Sequence, residues 1–354
     1  MIKETFSKVA SFLSNDVGID LGTANTLVYI KGAGIVVNEP TVVAINVKTG
    51  QIIAIGRDAA AMIGRTPVHI EIVRPLSNGV ISDFEAAQEY VSYFLRRAEE
   101  KTGRKLLRPR VVVGSPSGIT NVERRAIRKA ARHAGAREVM VLEEPLLAAI
   151  GVRLPVHDPV GSFVIDMGGG TTDIAVISLG GIYHSRHTTV AGDRLNEDII
   201  DYVRDEYKVL IGERTAEYLK KTTASIEEPD EEIETVVQGR DLVSGLPREI
   251  TITDHDIREA VKQSIRLLTR EVVQVFEITP PEMSADVSKR GIVFTGGGAL
   301  MRGLPEYLGT KLEIPVMVPD DPLTSVVLGT SIVLEDPERF AAAFIHDDEI
   351  PLQI

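Results

Sequence analysis

Two segments of this chain share the pattern Asp-x-Gly-x-x-x-Thr: Asp20-Leu-Gly-Thr-Ala-Asn-Thr26 and Asp166-Met-Gly-Gly-Gly-Thr-Thr172, 146 residues apart. A carboxylate at a strand end, such as Asp20 or Asp166, can hold a hydrated Mg²⁺. Glycine in the following turn lets the backbone approach a ligand closely. Successive backbone N–H groups there form a nest for an anion. In the first copy Gly22, Thr23, Ala24, Asn25 and Thr26 make this turn, with Thr23 and Thr26 as added hydroxyl donors. The second repeats the design with more glycine, in Gly168, Gly169, Gly170 and Thr171. One copy reads equally well as a tight hairpin turn. Two copies in the same phase of a strand pair read as a clamp on a triphosphate. A third cluster, Thr295-Gly-Gly-Gly-Ala-Leu300, follows an apolar strand and precedes a helix-like run, an approach geometry for nucleotides. No Gly-Lys-Ser/Thr follows, so it is not a Walker A loop. It is weak alone and supplies the nucleoside side when taken with the two turns.

Each turn needs strands to hold it. Val17–Asp20 and Leu27–Lys31 flank the first, Ser162–Asp166 and Asp173–Leu179 the second, and Val111–Gly114 and Ile292–Phe294 read as further buried strands. Helical periodicity falls at Phe84–Lys101, Thr120–Ala134, Leu195–Tyr207, Glu213–Ser225 and Asp254–Phe276, with a helix-start signal at Asn121-x-Glu123. The segment Arg153–Gly161, with two prolines, reads as a connector. The acidic run Glu227–Glu234 reads as a solvated loop. The mixture predicts an α/β chain of two related lobes, each a mixed sheet flanked by helices, with a nucleotide cleft between them. The predicted limits are 17–152 for the first lobe, with a small subdomain at about 33–75, and 153–321 for the second, with one at about 190–250. Residues 322–354 return to the first lobe and end in a tail, Phe340–Ile354, to which no role is assigned.

Composition narrows the classes. A length of 354 residues suits two lobes rather than one small core. Without cysteine there is neither a disulfide framework nor a thiolate zinc site. A net charge of −12 argues against broad nucleic-acid binding. No apolar run is long enough to cross a bilayer, and Met1–Asn15 lacks the features of a signal peptide. A cytoplasmic protein is expected.

The two hairpins and the late Thr-Gly-Gly-Gly motif resemble the actin-like ATPase superfamily, which includes actins, heat-shock chaperone ATPase domains and sugar kinases. Within it the chain is most similar to the MreB family. The segments that carry this are DLGTANTLVYIKG (20–32), GIVVNEPTVVAI (34–45), MIGRTP (62–67), RPLSNGVISDF (74–84), ITNVERRAI (119–127), EEPLLAAIG (143–151), DMGGGTTDIAVISLGGI (166–182), IGERTAE (211–217), SGLPREI (244–250) and RGIVFTGGGALMRGL (290–304). They run through nearly the whole chain.

This resemblance implies ATP and Mg²⁺ as cofactors, with Asp20 and Asp166 facing the metal through water. It aligns Glu144, beside its neighbour Glu143, with the carboxylate that orients the attacking water. A helix-start carboxylate would occupy the same place. Ala216, Glu217 and Lys220 would touch adenine and ribose, although Glu217 and Lys220 read on spacing alone as a surface ion pair. Gly296, Gly297, Gly298 and Ala299 would leave room for base and sugar. The activity implied is slow ATP hydrolysis coupled to polymer turnover rather than metabolic catalysis. Antiparallel double protofilaments would guide peptidoglycan synthesis in rod-shaped cells, with MreC and RodZ as partners.

Two features point to the inner membrane face. On a helical wheel of ~100° per residue, Ile2, Phe6, Val9, Phe12 and Leu13 share one arc, opposite Lys3, Glu4, Ser7, Lys8 and Ser11. Such a segment suits a bilayer interface and could equally pack on its own lobe or fray. Leu106 and Leu107 sit among Lys101, Arg104, Lys105, Arg108 and Arg110, where MreB-like proteins carry a membrane-inserting loop. Filaments would multiply these weak anchors. Other readings of the motifs are a small-molecule kinase, for which no sugar-binding insert is seen, a chaperone-type ATPase, which would require an appended peptide-binding domain, and a plasmid- or organelle-positioning filament.

Overall fold

The computed structural model describes residues 16–77, 80–81, 84–103 and 108–344. The residues expected at a membrane, Ile2, Phe6, Val9, Phe12, Leu13, Leu106 and Leu107, lie outside these. The chain forms two compact units. The first takes the described residues up to Asp158, then Leu179–Gly181 and those from Thr324 on; the second takes Pro159–Ser178 and Ile182–Leu323.

The first unit is built on a five-stranded sheet in the order Glu138–Glu143, Arg110–Ser115, Val17–Leu21, Asn25–Ile30, Gly34–Pro40. The first three strands are parallel and the last two join antiparallel. The second unit has a five-stranded sheet in the order Val316–Met317, Ile292–Thr295, Ser162–Met167, Thr172–Ser178, Gly181–Thr188. Its motif strand also has a parallel neighbour on one side and its hairpin partner on the other. The duplicated hairpin of the sequence is therefore the visible part of a duplicated sheet. Both motif strands are buried along their whole length. A strand covered on both faces reads as an unbroken apolar run rather than an alternating one.

Smaller antiparallel sheets are built from Ile52–Ile55, Val43–Asn46 and Ile70–Val73 in the first unit and from Val209–Leu210, Glu234–Asp241 and Pro247–Thr253 in the second. Tyr90, Phe94 and Leu95 of helix Phe84–Thr102 bury against Val17, Ile19 and Val28 in the first core. In the second, Ile199, Val261 and Leu268 pack with Phe163 and Ile165.

Helix ends are set by side chains. Thr120 accepts from the Glu123 amide at 3.3 Å, and the Glu123 carboxylate accepts from the Thr120 amide at 2.7 Å. This reciprocal box starts helix Asn121–His133. Thr253 and Asp256 do the same for helix Asp254–Glu277. Asp256 also accepts from the hydroxyls of Tyr202 and Tyr207, at 3.0 and 2.7 Å. At the entry to the first motif strand, Asp16 is fully buried and takes two bonds from the Arg110 guanidinium and one from its backbone amide.

Candidate nucleotide site

In the first unit the register aligns the chemistry. Asp20 pairs with Gly114, Gly114 with Leu142, and Ser115 with Glu143, so three parallel strands end together. Helix Glu144–Gly151 starts directly after the last of them. A carbon added at Gly114 would lie 3.4 Å from Cγ of Glu144. The Asp20 turn and Glu144 therefore share the carboxyl edge of one sheet, where open α/β sheets bind ligands. Glu144 is buried at the first turn of its helix, followed by Pro145. The helix dipole favours a carboxylate there, and the packed helix aims it. Glu143, one residue earlier, ends the strand with its side chain half-buried.

Asp20 is also buried, and burial pushes its carboxyl up to about 7. A cation beside it would restore the charged form. Ala24 and Asn25, at the tip of the turn, are exposed. Thr26 is fully buried. Its hydroxyl accepts from Tyr90 at 2.8 Å and lies 3.0 Å from the Thr41 hydroxyl. The expected hydroxyl donor to phosphate is instead a brace inside the unit. Thr172, its counterpart in the second copy, is likewise fully buried and donates to the Val190 carbonyl at 2.7 Å.

In the second unit the parallel pairing of Asp166 with Thr295 brings two of the three glycine motifs side by side. Gly296 has φ +79, and a carbon added there would fall 2.4 Å from the Met167 carbonyl and 2.6 Å from a carboxylate oxygen of Asp166. Only glycine fits this approach. Gly297–Leu300 form a short 3₁₀ turn in which Ala299 is buried. The Gly168–Thr171 turn is held from behind by helix Gly192–Tyr207. The Gly192 amide donates to the Gly168 carbonyl at 3.2 Å, and the Asp193 amide to the Gly169 carbonyl at 2.7 Å.

Lys220 donates to the Gly192 carbonyl at 2.7 Å and pairs with Glu217 at 2.6 Å. Glu217 also holds Lys221 at 2.7 Å and accepts from Asn196 at 3.0 Å. Ala216 is buried beneath them. The pair that spacing alone assigned to the surface is thus tied to the glycine turn through Gly192. Gly192 and Asn196 escaped the sequence reading, which began this helix at Leu195. The signal was the Ala-Gly-Asp start, where glycine admits the neighbouring turn: a carbon at Gly192 would lie 3.4 Å from Cα of Gly169.

Burial works to raise the Glu217 carboxyl, but Lys220, Lys221 and Asn196 outweigh it and bring it down from 4.5 to about 2. A depressed acid stabilises the fold above its unfolded value. This contribution is complete above pH 4.5 and fades as pH falls towards 2. The Glu217 side chain is 35% exposed, so solvent screening limits the effect to about 1 kcal/mol. Glu217→Gln is expected to lower the urea midpoint at neutral pH, with the offset from the parent shrinking at about pH 3. An equal offset at both pH values would rule out the ion-pair origin.

Among the described residues no group of three or more His, Cys, Asp or Glu is placed to hold a metal ion. The available oxygens suit Mg²⁺, which keeps several waters and takes one or two carboxylates beside substrate phosphates. Each turn carries one strand-end acid, Asp20 in the first unit and Asp166 in the second.

Duplicated sheets with matching glycine turns define an actin-like fold. The chain belongs to the MreB/Mbl protein family, whose model matches residues 14–342. It is 47% identical to the cell shape-determining protein MreB of Escherichia coli (strain K12) over 332 residues, covering 93% of this chain and 95% of that one. It is 44% identical to the cell shape-determining protein Mbl of Bacillus subtilis (strain 168) over 326 residues, 92% and 97% of the two chains. The crystal structure of MreB5 of Spiroplasma citri bound to ADP superposes with a TM-score of 0.88 at 39% identity, covering 93% of this chain and 98% of that one.

Proposed function

We propose that this chain is an ATP-dependent, actin-like filament protein that works on the inner face of the cell membrane and helps determine cell shape. The observation that carries the nucleotide reading is the duplicated turn, with a strand-end carboxylate, Asp20 or Asp166, before glycine in each copy. MreB5, bound to ADP, supports it, and the names of MreB and Mbl support the role in cell shape.

In this reading the backbone N–H groups of Gly22–Asn25 and Gly168–Thr171 donate to phosphate oxygens. Asp20 and Asp166 hold Mg²⁺ through water, and the ion neutralises phosphate charge when bound. Ala216, Glu217, Lys220 and Gly296–Ala299 receive the nucleoside. Glu144 orients and polarises the attacking water. Polymerisation into antiparallel double protofilaments, attachment through Ile2, Phe6, Val9, Phe12, Leu13, Leu106 and Leu107, and contact with MreC and RodZ in directing peptidoglycan synthesis belong to the same proposal.

The test is sedentation on anionic lipid vesicles with ATP, with ADP and without nucleotide, with electron microscopy of the pellets. Filaments that pellet with vesicles in ATP are expected. Protein that stays monomeric and unbound in all three conditions would end this reading.

A further inference from the structure

We propose that Thr41, supported by Tyr90 and Thr26, is a positioning residue that sets the Gly22–Asn25 turn in its phosphate-receiving form. This rests on the nucleotide reading above and adds Thr41 and Tyr90 to the site. The geometry lies wholly within the first unit.

Thr41 follows strand Gly34–Pro40 and is fully buried. Its hydroxyl donates to the Gly22 carbonyl at 2.6 Å, and its backbone amide donates to the Ala24 carbonyl at 2.9 Å. A threonine hydroxyl has one proton. With that proton on Gly22, the 3.0 Å bond between Thr41 and Thr26 must take its proton from Thr26. The Thr26 proton being spent, Thr26 can only accept from Tyr90, at 2.8 Å. The direction of the whole chain is therefore fixed, from Tyr90 through Thr26 and Thr41 to the Gly22 carbonyl. Burial pushes the Tyr90 hydroxyl up, which keeps its proton in place as the head of the chain.

The consequence follows from the planar trans peptide, in which C=O and N–H point to opposite sides. Thr41 draws the carbonyls of Gly22 and Ala24 towards itself. The N–H groups of the same two peptide planes belong to Thr23 and Asn25, and they are turned to the side away from Thr41. Backbone amides of one turn held facing the same side are what an anion nest draws on. The second unit reaches the same end differently, with the amides of Gly192 and Asp193 drawing on the carbonyls of Gly168 and Gly169.

The experiment measures affinity for ATP and for adenosine by competition against a fluorescent ATP analogue, using the full chain and its Thr41→Val, Thr41→Ser and Tyr90→Phe variants. Thr41→Val keeps the shape and the backbone amide but loses the hydroxyl. Its Kd for ATP is expected to rise about tenfold, with adenosine affinity unchanged. Thr41→Ser should restore ATP binding. Tyr90→Phe should weaken it about threefold, and it provides the readout if Thr41→Val does not fold. A merely structural role would lower the unfolding midpoint without separating ATP from adenosine. Parent-like ATP affinity in Thr41→Val, or in Tyr90→Phe if that variant is the readout, overturns the inference while leaving the nucleotide reading intact. A parent chain that binds no ATP refutes both.

Discussion

Glu144→Ala is expected to slow ATP hydrolysis at least about 100-fold while leaving ATP affinity nearly unchanged. A positioned acid–base group contributes about 10²–10⁴ in rate, and the carboxylate at the start of helix Glu144–Gly151 has the attributes of one. It is buried, it is held by a helix whose first turn favours negative charge, and it stands on the sheet edge that also carries the Asp20 turn. Glu144→Gln should behave like the alanine variant, because it keeps the shape and removes the charge. Glu143→Ala should lose far less, since that side chain ends a strand and makes no side-chain cap bond to the helix. Single-turnover phosphate release separates chemistry from binding, and an equilibrium titration checks affinity. Filaments formed in ATP by Glu144→Ala should persist where those of the parent disassemble. If Glu144→Ala hydrolyses ATP at the parent rate, another group activates the water and Glu143 becomes the candidate.

The parts of this fold that were legible in the sequence are those in which one strand carries its whole signal. Val17–Leu21 and Ser162–Met167 are buried on both faces, so their apolar runs stand out, and the glycine turns mark their ends. The long helices were legible because their apolar stripes are periodic; Phe84–Lys101 and Asp254–Phe276 were placed to within a residue at each end. Strand Gly181–Thr188 was missed because its residues are only partly buried or exposed, which leaves no alternation to read. Helix Ser325–Glu335 was missed for the opposite reason. It is buried nearly all round, so it has no polar face to give the 3.6-residue period.

The site divides the same way. Glycine and aspartate at turn spacing announced the two turns proposed to receive phosphate, because that signal lies in consecutive residues. Thr41 and Tyr90 act on the first turn across separations of 19 and 64 residues, respectively to Gly22 and Thr26, which no local pattern records. The misplaced hydroxyl role of Thr26 has a related cause. Its position in the motif fixes its neighbours in sequence, but the facing of its side chain was set by strand pairing, and alternate residues of a strand face opposite ways.

Gly329→Ala is expected to destabilise the first unit by about 3 kcal/mol, at the upper end of what a single added methyl does in a packed interior. Helices Glu144–Gly151 and Ser325–Glu335 touch through glycine on both sides. A carbon at Gly329 would lie 2.0 Å from the Leu147 carbonyl oxygen and 2.9 Å from its Cα, and one at Gly151 would lie 1.9 Å from the Ser325 carbonyl oxygen. These are backbone atoms, so no rotamer change can make room and the two helices must move apart. Gly18 is crowded by one side chain rather than by backbone: an added carbon would lie 1.9 Å from the Thr330 hydroxyl, which can turn, and 2.8 Å from Thr330 Cβ, which cannot, so Gly18→Ala should cost nearly as much as Gly329→Ala. Gly309, inside helix Leu304–Leu312 with its nearest foreign atom 3.5 Å away, is the control. Alanine there should be neutral or stabilising by up to about 1 kcal/mol, because it narrows the unfolded ensemble without strain. Urea unfolding of the three variants beside the parent gives the ranking. Because the displaced helix carries Glu144, Gly329→Ala should also reduce hydrolysis by more than its loss of folded protein explains, whereas Gly309→Ala should leave the rate alone. A Gly329→Ala protein as stable as the parent would mean that the helix pair is not packed as closely as the backbone positions require.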